Sequence, residues 1–148
     1  MFHSLHNFAL MPQTGGMNNF KGTGAYMNDK GHNLDRLDKF IFFLSQYYDN
    51  PCIDNPIFSR AQGKKSKKFT AEQNTTFLKI LLKQFLDYIG SVYQYCEYFY
   101  LIKDIDFINC LIDSGGKTID SGKSVVAYMK LAEDFWAIRH EISKSDIN

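Results

Sequence analysis

The fold is decided by residues 70–103, whose sequence is TAEQNTTFLKILLKQFLDYIGSVYQYCEYFYLIK. Thr70 and Gln73 have the T-x-x-Q spacing of a capping box, which predicts the start of a helix. Apolar residues then follow at alternating steps of four and three, at Leu78, Leu82, Phe85, Ile89, Val92, Cys96 and Phe99. Because a turn between two helices would break that phase, the pattern favours one kinked helix of about 71–103. In the alternative, Gly90 ends one helix in a left-handed conformation and Ser91 caps the next.

Two other segments show a helical apolar period. Before the central stretch, Asn33 can cap a helix over 34–48, on which apolar residues recur at Leu34, Leu37, Ile41, Leu44 and Tyr48. After it, a last helix is predicted from Ser121 or Ser124 to about 143, with one apolar face formed by Val125, Met129, Ala132, Trp136 and Ile142.

The connections between these helices are predicted from their turn residues. Pro51 and Pro56 keep 49–60 irregular or only briefly helical. Residues 61–69, AQGKKSKKF, have no apolar period before Phe69 and are typical of an exposed loop. Residues 104–120 contain Asp-Ser-Gly-Gly, which favours a short strand or an irregular connection over a helix.

The first 32 residues are rich in Gly and Asn, yet they carry too many apolar side chains for a disordered tail. We expect them to form a loop segment that packs on the helices. The fold class is therefore a mainly α single domain, residues 1–148, with three principal helices near 34–48, 71–103 and 121–143. A short β pairing is allowed, with its strands in 1–30 and 105–112.

Composition excludes several classes of function. The 148 residues are 45% hydrophobic, which suits one domain with one core. Seventeen Lys and Arg against sixteen Asp and Glu give a net charge of +1, so no global charge attracts nucleic acid. No apolar run approaches the ~20 residues that span a membrane. Three cysteines without a CxxC spacing, and a start without a secretory signal, predict the reducing cytoplasm.

Sites for metals, nucleotides and nucleic acids are weakly supported. His3 and His6 lack a nearby Cys pair, so neither a metal site nor a cofactor is predicted. The segments GGKT and SGKS at 115–124 do not have the spacing of a Walker phosphate-binding loop. They are better interpreted as a turn followed by a capped helix start. A run of lysines, Lys64, Lys65, Lys67 and Lys68, could bind phosphates, but on a Gly and Ser loop it is more typical of a solvated loop.

Arg139 is the one charge on the apolar face of the last helix, where an unpaired guanidinium would be costly. Asp35 and Asp38, one turn apart on the first helix, are its candidate partners. A salt bridge between the helices, or a stem that reaches water, is favoured over a ligand-binding role.

Several short motifs together resemble a bacterial family of uncharacterised proteins, a domain of unknown function. They are the Met-Pro and Asn-Phe-Lys-Gly loop at 11–22, the D-R-x-D at 35–38, FLDYIGSVYQYCEYFYLIKDI at 85–105 and the aromatic-x-x-Arg that ends at Arg139. The resemblance is to the C-terminal part of that family, and it implies that residues 1–32 are an interior segment of a longer domain. It implies no activity.

Two hypotheses for function follow. The first is a non-enzymatic cytoplasmic module that binds protein, either another copy or a different chain, through an aromatic and Met-rich surface. The second is a small enzyme or nucleic-acid-processing factor, with a polar site drawn from His6, Asn19, Lys21, Asp35, Arg36, Asp38 and Arg139. The sequence does not decide whether the protein is an enzyme.

Overall fold

The computed structural model describes residues 37–59, 61–118 and 120–147, which form six helices and, within those ranges, no strand. In chain order the helices are α1 Leu37–Asp49, α2 Pro56–Ser59, α3 Ala71–Ile89, α4 Val92–Tyr100, α5 Ile105–Gly115 and α6 Gly122–Ile147. The predicted mainly α, single-domain class is confirmed, although three principal helices were too few. The expectations for residues 1–32, including a strand in 1–30, lie outside the described residues.

The core is built around α1 and is rich in aromatic rings. One face of α1 is fully buried, formed by Phe40, Ile41, Leu44 and Tyr47 at helical spacing. The ring of Phe40 lies 5.7 Å from that of Tyr95, and the ring of Tyr47 lies 5.4 Å from that of Phe58. Tilted rings at these distances attract one another beyond their area burial. The predicted helix over 34–48 is confirmed from Leu37 onward.

The expectation of one kinked helix over 71–103 is wrong, and the alternative is confirmed. Gly90 has a positive φ of 97°, and its amide closes α3 by donating to the carbonyl of Leu86 at 3.1 Å. The Ser91 hydroxyl then accepts from the amide of Gln94 at 3.1 Å and caps α4. Glycine adopts a positive φ without a steric cost, so the chain breaks there although the apolar phase continues.

Residues 105–112 form the helix α5, so the prediction of a strand or irregular connection is also wrong. Asp104 caps this helix by accepting from the amide of Phe107 at 3.1 Å. Ile108, Leu111 and Gly115 recur at steps of three and four, and all three are buried. Gly115 lies directly on the backbone of Asp38 in α1, so the apparent turn residue is a close contact between helices.

Helix α6 covers the core with its middle part. Phe135 is buried there, flanked by half-buried Leu131, Trp136 and Ile138. The face of α6 that packs on the core differs from the predicted face. Phe135, which was not predicted, is the most buried of these side chains, whereas Met129, which was predicted, is 53% exposed. Ser121 accepts from the amide of Ser124 at 3.2 Å, as expected of a capped start. In the described ranges, every helix is too short or too polar to cross a bilayer.

Candidate functional site

Helix α3 carries two apolar faces, and only one of them is buried. Leu82, Leu86 and Ile89 point into the core. A second set of large apolar side chains on the same helix is exposed to solvent; we call it the α3 surface, and it consists of Phe77, Ile80, Leu81, Phe85 and Tyr88. At 100° per residue, the centres of the two sets lie about 130° apart around the helix. An ordinary amphipathic helix has polar residues at that second position.

The most exposed members of the α3 surface have a large unburied area. Leu81 is 59% exposed and Tyr88 is 88% exposed. Single exposed apolar residues are common on soluble proteins, but a continuous set on one helix face indicates a contact site. Since aromatic residues are enriched in protein interfaces, the composition of this face also suits binding to protein.

Polar contacts from α1 fix the orientation of α3. Tyr48 donates from its hydroxyl to the carbonyl of Leu86 at 2.6 Å, and Tyr47 donates to a carboxylate oxygen of Asp87 at 2.6 Å. Lys83 pairs with the other oxygen of Asp87 at 2.6 Å. The hydrogen bond from Lys83, and next that from Tyr47, holds the pKa of Asp87 below its usual range. The exposed face of α3 is therefore held outward.

The loop before α3 is bound to the first turns of the helix. Gly63 donates its amide to the hydroxyl of Thr75 at 2.9 Å, and the side-chain amide of Asn74 donates to the carbonyl of Lys64. A Cβ at position 63 would lie 2.5 Å from the Cβ of Asn74, so glycine permits this close approach. The ring of Phe69 meets that of Phe77 edge on, with centroids 5.2 Å apart.

An open groove of about 430 Å³ lies where this loop meets α3. On the helix side its wall consists of the apolar Phe77, Leu78 and Leu81 together with Asn74, and on the loop side it includes Lys64. The lysines of the loop are all exposed, as the sequence predicted for 61–69: Lys64, Lys65, Lys67 and Lys68. The loop therefore holds a cluster of positive charge at the N-terminal end of the α3 surface.

Two of the seven predicted polar site residues lie in the described part of the chain. Asp38 is 1% exposed and accepts from the Ser114 hydroxyl at 2.6 Å and from the Lys39 amide at 2.9 Å. Arg139 is half-buried, with its guanidinium 5.3 Å from the centre of the Phe135 ring. Burial lowers the pKa of Arg139.

The remaining predicted site residues, His6, Asn19, Lys21, Asp35 and Arg36, lie outside the described residues. The predicted pairing of Arg139 with an aspartate of the first helix thus stays a prediction. Among the residues that are described, no group of three or more His, Cys, Asp or Glu side chains could hold a metal ion.

A second cavity, of about 520 Å³, lies between the end of α5 and the start of α6. Ser114, Lys117, Lys123 and Tyr128 are among its lining residues, so it includes the GGKT and SGKS segments. A phosphate-binding loop follows a strand, whereas this segment follows the helix α5. The hydroxyls of Ser121 and Ser124 bind each other and the amides of their own turn, as in a helix start.

The apolar period predicted for residues 70–103 does not reveal the α3 surface. That period runs through both α3 and α4, and the exposed apolar surface was expected in residues 1–32. A signal was present, because Phe77, Ile80, Leu81 and Tyr88 are apolar residues of α3 that lie off the predicted period. Such a surplus indicates a helix with a second contact face.

No family model matches the chain, and no curated protein and no solved structure matches it either. The resemblance to a bacterial family thus stays an expectation from the sequence. The α3 surface, the basic loop and the groove between them are the features from which a function can be argued.

Proposed function

We propose that this protein is a non-enzymatic interaction module that binds another protein chain through the α3 surface. One observation carries the proposal: α3 is bound to the core by one apolar face and exposes a second. The exposed side chains are large, they lie on one face, and three of the five are aromatic. Burying such a face against a partner removes apolar area from water at about 25 cal/mol per Å².

The surface suits recognition because it is preformed. The hydrogen bonds that Tyr47 and Tyr48 of α1 donate to α3 set the direction in which its exposed face projects. A partner therefore binds without first ordering the helix, which lowers the entropic cost of association. The free thiols of Cys52, Cys96 and Cys110 suit a reducing compartment, so we place the interaction in the cytoplasm.

Site-specific photo-cross-linking in the source cells tests the proposal. A benzoylphenylalanine at position 88 is expected to give a discrete protein adduct, because Tyr88 lies at the C-terminal end of the α3 surface. The same group at position 126 is the matched control, since Val126 is 66% exposed but belongs to α6. We expect little adduct from position 126.

A second variant tests whether the adduct depends on the apolar face. Leu81→Asp places a charge in the middle of the α3 surface, and because Leu81 is exposed the fold should tolerate it within about 0.5 kcal/mol. Circular dichroism and a melting curve check that tolerance. Loss of the position-88 adduct in a folded Leu81→Asp protein supports the proposal. No adduct, or an adduct that Leu81→Asp leaves unchanged, refutes it.

A further inference from the structure

We propose, resting on the function proposed above, that the occupant of the α3 surface is an amphipathic helix of a different protein that carries acidic side chains. Its apolar face lies along Leu81 and Tyr88, and its carboxylates face the lysines of the loop that precedes α3.

Charge complementarity selects the acidic partner. Lys64, Lys65, Lys67 and Lys68 fall within five residues, and residues 61–69 contain no acid. The whole chain has a net charge of +1, so this loop concentrates positive charge at one place. A surface of one sign favours a partner of the opposite sign and disfavours one of the same sign.

The structure holds that charge beside the apolar face. Asn74 and Thr75, in the first turns of α3, bind the loop backbone at Lys64 and Gly63. The ring of Phe69, at the end of the loop, contacts that of Phe77 at the start of the α3 surface. The groove between loop and helix is lined by Lys64 together with Phe77 and Leu81. A ligand in the groove would thus meet apolar and positive groups together.

The shape of the surface favours a helix. From Phe77 to Leu81 and Tyr88 the exposed side chains extend over about 16 Å, or three helical turns. A straight ridge of this kind packs into the groove between side chains of a second helix. An acidic amphipathic helix of about four turns would cover the ridge and reach the lysines.

A second copy of this chain fits less well. Parallel pairing of two α3 helices would bring the two basic loops together, which is repulsive. Antiparallel pairing would place each loop near the C-terminal end of the other α3. The acid at that end, Asp87, already binds Lys83 and Tyr47.

Three designed peptides of about 18 residues test the inference by fluorescence anisotropy with the full chain. The first has a leucine face at helical spacing and glutamates on its flanks. The second has lysine in place of each glutamate, and the third keeps the glutamates but has serine in place of each leucine. At low salt, we expect the first peptide to bind about tenfold tighter than either of the others.

Two variants separate the apolar and charged contributions. Leu81→Asp should weaken binding of the acidic leucine peptide about tenfold. Replacing all four loop lysines by glutamine should reduce the preference for glutamate over lysine to about threefold or less. Lys117→Gln with Lys123→Gln, which removes two positive charges instead of four, is the control, because these lysines are exposed but line the other cavity. It should leave the preference unchanged.

Other outcomes overturn the inference and identify what should replace it. If the acidic and basic peptides bind equally while the position-88 adduct still forms, the acidic helix is rejected as the occupant, but the proposed interaction module is retained. Sedimentation that shows a dimer, lost in Leu81→Asp, makes a second copy the occupant. Tight binding of a single-stranded RNA that needs the four lysines but tolerates Leu81→Asp makes the loop a nucleic-acid site. Absence of peptide binding together with absence of the adduct removes both proposals.

Discussion

Gly115→Ala should destabilise the protein, because Gly115 is the point at which α5 touches α1. A Cβ at this position would overlap the carbonyl oxygen of Asp38 and would lie 2.6 Å from both the Asp38 carbonyl carbon and the Phe42 Cβ. Two of these three atoms belong to the backbone, so a change of rotamer cannot relieve the overlap. The two helices must move apart.

The magnitude follows from three contributions. Overpacking in a core costs about 1–3 kcal/mol. Separation of the helices also stretches the 2.6 Å hydrogen bond from Ser114 to Asp38, which is worth about 1 kcal/mol or more. Alanine has a better helix propensity than glycine, which offsets about 0.5–1 kcal/mol of this destabilisation. The free energy of unfolding should therefore fall by about 2 kcal/mol, which for a chain of this size lowers Tm by about 4–8 °C.

Thermal unfolding followed by circular dichroism measures the effect, and Gly122→Ala is the matched control. Gly122 is the first residue of α6, and a Cβ there would meet no atom within 4 Å. Its Tm should stay within about 2 °C of the unmodified protein. Equal melting temperatures for Gly115→Ala and Gly122→Ala would show that α5 does not pack on α1 through Gly115.

Three further predictions concern the backbone, the thiols and one carboxylate. Gly90→Ala should lower the free energy of unfolding in denaturant by about 1 kcal/mol, because φ is 97° there, although a Cβ would have open space. An unchanged denaturation midpoint would contradict backbone strain in the alanine variant. In the native protein, Cys52 and Cys110 should alkylate within minutes and Cys96 should not, because burial raises the pKa of Cys96 to about 12; equal rates would contradict this burial. Carboxyl NMR should find that the pKa of Asp87 lies below its usual range. The ionised carboxylate therefore stabilises the fold fully above pH ~4, and this stabilisation is lost as the pH falls through the pKa of Asp87 in the folded protein. A normal or raised pKa would contradict the hydrogen bonds of Asp87 with Lys83 and Tyr47.

The features that the sequence predicted well are those with local causes. The capping box of Thr70 and Gln73 is present, with the Thr70 hydroxyl 3.1 Å from the Gln73 amide and the Gln73 side chain 2.9 Å from the Thr70 amide. The Ser91 cap was also identified as an alternative. In each case the interacting atoms lie within four residues of one another, so the pattern of residue types contains the information.

The features that were missed depend on distant partners. In the sequence, Gly115 resembled a turn glycine. Its contact with Asp38, which is distant in sequence, shows that it lies inside a helix at a point where two helices pack closely. Phe85 lies on the predicted apolar period, yet it is 37% exposed, while the neighbouring Leu86 is buried. Periodicity shows that a helix has apolar residues, but the surrounding helices decide which of them are covered. For that reason the surplus of apolar residues on α3 indicated a second face, but only the fold shows which of these residues are exposed.

Whether this face of α3 binds a partner is decided by the yield of cross-linked protein from position 88, measured in parallel with and without Leu81→Asp. We expect one dominant adduct from the α3 surface, its loss when the aspartate is present, and little adduct from position 126 on α6. A folded protein that gives no adduct from position 88, or the same adduct with and without the aspartate, would contradict the claim that this face of α3 binds a partner.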